Sequence, residues 1–262
     1  MPVAVGSDST QFSAYFQNLI SEYHNRYGGR GVMIYWHVEK NACCIHSQLK
    51  SVSSTEVAAM IEGVLRHCTE MSVQKNYVDT HGQSEAGFAF SYLLGFSLMP
   101  RLANLNKQKL AQCEIGDYQR YKNLQPIWGD SINWGLIEEQ YNQIVKYTAA
   151  MKAGHADPES ILRRCNQNNL KHPTYIALSQ LGKVIKTIFI CNYLMHASMR
   201  QEIQEGLNVV ELWNGVSKFI FYGRADEISS NHEKAQTLYV QYLNLLQLSM
   251  VYINTVRKRK KR

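Results

Sequence analysis

Short apolar runs broken by small and polar residues fill the first hundred positions, and helical spacing dominates the remainder. Pro2 to Ser7 is one such run and ends at Asp8; Val32-Met33-Ile34-Tyr35-Trp36-His37-Val38 is a second and follows Gly28-Gly29-Arg30-Gly31; Ala42 to Leu49 alternates with period two. Three successive runs with short connections predict an antiparallel meander. Ser53-Ser54-Thr55-Glu56 supplies a hydroxyl cap and an acidic first turn, after which Val57, Met60, Ile61, Val64 and Leu65 keep helical spacing to Cys68. Tyr77-Val78 predicts a further strand ending at Asp79. Gln83 to Leu94 predicts a helix that Gly95 stops, before the extended Phe96 to Pro100.

Past position 103 the chain is first irregular, around Gly116, Pro126 and Gly129, and then helically periodic from Trp134 to Met151 and from Tyr175 to Met199, with a turn from Gly154 to Pro158. A helix from about Leu207 to Tyr222, a break at Gly223 and a helix from about His232 to Thr255 complete the order. Nothing resembling a linker flanks residues 103–200, so they are read as a helical insertion within one domain spanning residues 1–262. Three strands, helix, strand, helix, strand and then helices is the order of an α/β, ribonuclease-H-like mixed sheet: three antiparallel strands plus parallel strands, with the long insertion before the last catalytic helix. In such a sheet the first and fourth strands are neighbours. Asp8 and Asp79, 71 positions apart, are therefore expected to meet at adjacent strand ends.

A chain of 262 residues at 45% hydrophobic and 19% charged can bury a full core, which excludes disorder, collagen-like repeats and disulfide miniproteins. The net charge of +7 is less informative than it looks, because six cations lie together in Arg257-Lys258-Arg259-Lys260-Lys261-Arg262, leaving 22 against 21 elsewhere. A diffuse basic surface does not follow from composition. Met1 is followed by no basic segment and no long apolar core, and Val184 to Met199 is interrupted by Lys186, Asn192 and His196, so a cytosolic protein without a membrane span is expected. Six cysteines without a C-x-x-C pair predict reduced, mostly buried thiols rather than a zinc site. The 16 tyrosines can stack on bases, but positions such as Tyr193 and Tyr239 read as core.

Candidate chemistry comes from the acidic residues. Phosphoryl transfer on nucleic acid commonly uses two divalent metals held by hard oxygen ligands. Two strand-end aspartates and a glutamate on a late helix meet that requirement. Glu211 is that glutamate; with Asn214 and Lys218 it forms one stripe of a helix whose Leu207, Val210, Val216, Phe219 and Ile220 are expected to be buried. Each residue also has an ordinary reading. Ser-Asp-Ser and Asp-Thr-His-Gly are turn chemistry, and a glutamate on an amphipathic helix marks its solvent stripe.

The motifs carry a specific resemblance. Ser7-Asp8-Ser9-Thr10-Gln11-Phe12 resembles S-D-G-x-x-F, the first acidic motif of the Tn-three family of replicative transposases, DDE enzymes with a ribonuclease-H-like core. Val78-Asp79-Thr80-His81-Gly82-Gln83-Ser84-Glu85 resembles the second, D-T-x-G-x-S/T-D/E, and Leu93-Leu94-Gly95-Phe96 through Pro100-Arg101-Leu102 resembles L-L-G-F-x-x-x-P-R-L. Leu181-Gly182-Lys183 with Thr187 and Arg200, Leu207-Asn208-Val209-Val210-Glu211, and Phe221-Tyr222-Gly223-Arg224-Ala225-Asp226-Glu227 resemble L-G-R…T…R, L-N-x-G-E and F-F-G-R-x-G-E. The resemblance runs in order from about Gly6 to Thr255.

It implies that Asp8, Asp79 and Glu211 are the catalytic, metal-binding triad, holding two magnesium ions or manganese in their place. Water would cut the phosphodiester at a transposon end, and the freed 3′-hydroxyl would attack target DNA. Arg101 and Arg200 become candidates for DNA phosphate contact, with a structural salt bridge as the other reading of each. His81, two residues from Asp79, becomes a candidate to support the ligands by hydrogen bonding. The implied partners are transposon-end and target DNA, with further transposase regions or a second transposase copy. Ser9 and Val210 stand where the family has glycine, and Val210 crowds the backbone beside Glu211. Family members are several times longer, so a truncated or split transposase is the expectation. Of three readings of the basic hexapeptide (a solvated end, a DNA tether, codons appended by truncation) the last is preferred. The alternatives are a ribonuclease-H-like nuclease and an inactive remnant that only binds DNA.

Overall fold

The computed structural model describes residues 2–14, 21–24, 29–114, 116–164, 172–220, 227–228 and 230–260. They fall into two compact units, Met1–Val73 with Glu205–Arg262, and Gln74–Gln204.

The first unit begins with β1 (Pro2–Ala14), β2 (Glu22–His24), β3 (Gly29–Glu39), β4 (Cys43–Lys50) and α1 (Glu56–Arg66). β1 pairs antiparallel with β3 from Val5 opposite Glu39 to Ser13 opposite Gly31, and β2 and β4 both pair antiparallel with the other edge of β3. This is the expected meander with a short strand added. β3 is central, and Gly31 through Glu39 are all buried, as a strand covered on both faces requires. Thr55 caps α1 by accepting from the Ala58 amide at 3.3 Å, and Val57 through Ile61 are buried.

β1 differs from expectation in length. The expected strand, Pro2 to Ser7, ends at Asp8; instead β1 continues to Ala14, and Asp8 sits in mid-strand opposite Trp36. Polar residues remain in the strand because their side chains find hydrogen-bond partners, Ser7 on His37 of β3, Ser9 on Glu56 of α1 and Asp8 on Asn214 of the late helix, so the turn propensity of Ser-Asp-Ser is overridden.

The second unit holds most of β5 (Ser72–Val78), then α2 (Glu85–Leu94), β6 (Ser97–Pro100), β7 (Leu110–Gln112), α3 (Asp117–Arg120), β8 (Trp128–Ser131), α4 (Trp134–Ala153), α5 (Pro158–Arg164) and α6 (Pro173–Met195). β5 and β6 pair in parallel from Lys75 opposite Ser97 to Val78 opposite Pro100, with α2 as the crossover, and α2 closes at Gly95 with φ 88°. β7 and β8 form a small parallel pair within the stretch expected to be helical. α6 is long and apolar enough to cross a membrane by length and composition. Its Thr174, Tyr175, Ala177, Leu178, Leu181, Gly182, Phe189, Ile190 and Tyr193 are nonetheless buried, with Phe189 against Phe88 of α2 at 5.4 Å between ring centroids, so it is a core helix of this unit.

α7 (Ala197–Ile220) begins ten residues before the expected start, because its first half is a polar, exposed continuation that apolar periodicity does not reveal. β9 (Glu227–Ile228) adds in parallel to β1 in the first unit, making that sheet mixed, and α8 (Glu233–Lys260) follows. α8 runs through Arg257, Lys258 and Arg259, since lysine and arginine are good helix formers. Two outer faces are unexpectedly apolar: Phe219 of α7, expected to be buried, is 69% exposed, and α8 exposes Leu238, Tyr242, Leu245, Leu246, Tyr252 and Ile253.

Among the described cysteines only Cys44 is buried, where burial pushes its thiol up to about 12; Cys68 and Cys113 are exposed, so the expectation of mostly buried thiols is corrected. Cys165 lies outside the described residues.

Candidate acidic site

Strand geometry divides β1 into two faces. Ser7 and Ser9 point towards α1. Ser7 Oγ lies 2.9 Å from His37 Nδ1, and His37 Nε2 lies 3.2 Å from the Ala59 carbonyl. A carbonyl only accepts, so Nε2 carries the proton and Nδ1 accepts from Ser7. Burial holds this imidazole at about 3, with His46 lowering it further and the Ala59 carbonyl opposing. Ser9 Oγ donates to Glu56 Oε1 at 2.7 Å. The serine that replaces the family's glycine is therefore accommodated by a hydrogen bond to α1. Gly63 of α1 packs directly on the His37 ring, where a Cβ has no room.

Gly6 and Asp8 point the other way, towards α7. A Cβ on Gly6 would run into the Gly206 carbonyl oxygen, so strand and helix meet here backbone to backbone. Further along, Trp36, opposite Asp8, meets Trp213 of α7 edge on, with centroids 6.2 Å apart, and Gln247 of α8 donates to the Trp213 carbonyl at 2.9 Å. Val210 is fully buried on the helix face next to Gly6, so its side chain fills space rather than displacing the backbone. With α7 seated in this way, Asn214 Nδ2 donates to Asp8 Oδ2 at 3.2 Å. Glu211, one turn earlier, lies on the exposed side of the helix. The described structure thus brings Asp8 to the helix that carries Glu211, through a residue whose spacing of three from Glu211 was visible on the sequence stripe. Lys218, the third residue of that stripe, has a side chain outside the description.

Asp79 belongs to the second unit. It directly follows β5, half-buried, at the C-terminal end of a parallel strand, as expected. Its carbonyl accepts from the Gly82 amide at 3.2 Å, and Ser84 caps α2 by accepting from Gly87 at 3.0 Å, so the loop is a short turn into a capped helix. α6 braces that helix start. Gly182 lies against the Glu85 backbone, Ser179 donates to the Glu85 carboxylate, and Lys186, its ammonium lowered by burial, has Glu85 as its opposing charge. Sequence reading missed Glu85, Ser179 and Lys186 as a cluster because Glu85 lies 94 positions or more from the other two. Lys75 and Tyr77 of β5 both donate to Glu202 Oε1, at 2.6 and 2.7 Å.

The remaining candidates are placed as follows. Arg101 extends β6 and its amide donates to the Val78 carbonyl at 2.9 Å. Arg200 Nη1 donates to the Tyr193 and Leu194 carbonyls at 2.6 and 3.0 Å, closing the end of α6. The His81 side chain lies outside the described residues.

Among the described residues, no three His, Cys, Asp or Glu side chains are gathered tightly enough to hold an ion between them. The donor chemistry at Asp8 does fit a hard divalent cation. Its carboxylate is half-buried and hydrogen-bonded by a neutral amide, and Asn214 Oδ1 beside it is a buried acceptor without a partner.

Comparison with known proteins places the chain among the transposases. Residues 3–260 match the Tn3 transposase DDE domain, and the chain belongs to that family. It is 27% identical over 251 residues to the transposase of transposon Tn1546 from Enterococcus faecium, covering 95% of this chain and 25% of that protein. It is 26% identical to the transposase of Tn501 from Pseudomonas aeruginosa, covering 88% and 23%, and 28% identical to that of Tn2501 from Escherichia coli, covering 97% and 26%. The chain thus spans about a quarter of the length of the curated relatives it matches.

Proposed function

We propose that this chain is the catalytic domain of a DDE transposase, which nicks transposon ends and joins the 3′-hydroxyl to target DNA, with Asp8, Asp79 and Glu211 as its metal-binding acids. The observation that carries the reading is the Asn214 to Asp8 hydrogen bond, which sets the first acidic motif against the helix of the third. Asp8, Asp79 and Glu211 would hold magnesium, which supplies activation of the attacking oxygen and charge stabilisation at the leaving oxygen. Asp8, in mid-strand and bonded by Asn214, offers a carboxylate whose direction is fixed before any ligand arrives. Asp79 offers one from a turn whose exit helix is capped by Ser84 and braced by Ser179. No side chain is assigned as a covalent nucleophile, because in-line displacement by a bound oxygen needs none.

Arg101 and Arg200 are proposed to meet DNA phosphates, Arg200 while still bonded to the end of α6. A nicking and strand-transfer assay with magnesium, comparing this chain with Asp79→Asn, tests the function. Activity that falls to background in the variant supports the acidic triad. Equal activity in both would remove Asp79 from the site. A chain that cuts DNA without joining it would favour a nuclease of the same fold.

A further inference from the structure

We propose that the arm between β7 and β8 is a docking site for unpaired bases of a DNA strand, with Tyr118 and Tyr121 as its stacking platforms. The proposal goes beyond the acidic reading and does not depend on it, since none of its residues belongs to that site. The arm is held by polar bonds rather than by burial. Between Cys113 and Ser131, Asp117 is the only buried residue among those described, and its carboxylate accepts from the Cys113 and Glu114 amides at 3.0 Å each. Lys109 Nζ donates to the Pro126 carbonyl at 2.7 Å, Gln112 Nε2 to the Gly129 carbonyl at 2.8 Å, and Gln125 Nε2 to the Tyr118 carbonyl at 3.3 Å. An arm fixed in this way needs no ring for a core of its own, and its rings face outwards.

Tyr118 is 47% exposed and Tyr121 44%, unlike Tyr193 of α6, which is buried. The Tyr121 amide donates to the Asp117 carbonyl at 3.0 Å, so the two tyrosines sit three apart on one turn, at the spacing of neighbouring side chains. The Tyr121 ring is itself braced: the Arg120 guanidinium lies 5.4 Å from its centroid and the Trp128 ring 6.3 Å away, tilted by 48°. A braced ring loses little freedom on binding, and every base has a π face to set against it. A duplex keeps its bases stacked on one another, so only an unpaired strand can use such a platform. Charge favours a phosphate backbone. Arg120 and Lys122 are exposed on either side of Tyr121 in sequence, the Asp117 carboxylate is bound by two amides, and Asp130 lies 3.6 Å from Lys183, with Glu114 as the arm's other described acid.

The test measures binding of a fluorescein-labelled oligothymidylate to the 262-residue chain by anisotropy in EDTA, which keeps metal chemistry out of the readout, with thermal midpoints recorded for every variant. Tyr118→Ala and Tyr121→Ala should each weaken binding by roughly five- to a hundredfold, the range for losing one base on one ring. Tyr121→Phe keeps the ring and should bind as the parent does. So should Tyr92→Ala, which removes a tyrosine at least as exposed from α2. A labelled blunt duplex, which the basic C-terminal segment also attracts, should bind the parent and both alanine variants alike. Parent-like oligothymidylate binding in Tyr118→Ala, a loss in Tyr121→Phe equal to that in Tyr121→Ala, or duplex affinity that falls as far as single-strand affinity overturns the proposal. A parent that binds no oligothymidylate overturns it as well. Should Tyr121→Ala lower the midpoint, Tyr118→Ala and Tyr121→Phe carry the decision. Each of these failures leaves the acidic triad to the magnesium assay, and failure there leaves this site untouched.

Discussion

The two faces of β1 differ in how completely they are satisfied. Towards α1, Ser7, His37 and the Ala59 carbonyl form a closed relay, and Ser9 is bonded to Glu56. Towards α7, Asp8 accepts from Asn214 Nδ2, while Asn214 Oδ1, the indole nitrogens of Trp36 and Trp213 and the Ser217 hydroxyl are buried without partners. A folded protein rarely leaves several polar atoms unsatisfied in one place. Both faces are close-packed, but only the one towards α7 keeps buried polar atoms without partners, Asn214 Oδ1 next to Asp8 among them. Both faces are built from the same strand, so substitutions a single position apart should have different consequences.

The largest expected separation comes from the two close-packed glycines. Gly6→Ala and Gly63→Ala each force a methyl group into occupied space, at a cost of about 1–3 kcal/mol or more. Both should lower the thermal midpoint, but only Gly6→Ala, which lifts α7 from β1, should also weaken Mn2+ binding. If Gly63→Ala weakens it equally, the two faces are not independent.

Acid acts on the α1 face next. His37 is held at about 3 when folded, against 6.5 when exposed, so between those values the unfolded chain binds one proton more than the folded one. Stability from this group is complete above pH 6.5 and falls as pH drops through the window, by about 1.4 kcal/mol per pH unit. Urea unfolding should show stability falling from pH 7 to pH 4, and His37→Asn should make the fall shallower while leaving the contributions of His46 and His67, whose imidazoles burial also lowers.

The smallest effect is that of Ser9→Gly, which removes the bond to Glu56 and should cost about 0.5–1.5 kcal/mol without changing Mn2+ affinity.

Much of this arrangement was legible in the sequence, in unequal parts. The meander, the α1 cap and the Asp79 turn were readable because each depends on local chemistry: alternation, a hydroxyl before an acidic turn, and a strand followed by Gly82 and Ser84. The continuation of β1 past Asp8 was not, because what keeps Ser7 and Ser9 in a strand is a histidine 30 positions away and a glutamate 47 positions away. Val210 and Phe219 show the same limit. Both look like core residues of one amphipathic helix, yet Val210 is fully buried and Phe219 mostly exposed, since only packing decides how far round a helix the core extends. Asn214 was visible in the stripe with Glu211, but only the fold of the first unit supplies Asp8 as its partner.

Helix α8 has a consequence for the chain as a colloid. Its outer surface carries Leu238, Tyr242, Leu245, Leu246, Tyr252 and Ile253, an apolar strip of the kind that makes copies of a protein adhere. The exposed cations Arg257, Lys258 and Arg259 continue the same helix just beyond that strip. Most of the net charge of +7 comes from the basic segment to which they belong, so mutual repulsion between copies is concentrated beside the surface most prone to stick. Added salt, which screens that repulsion while strengthening apolar association, therefore acts on solubility through the end of one helix.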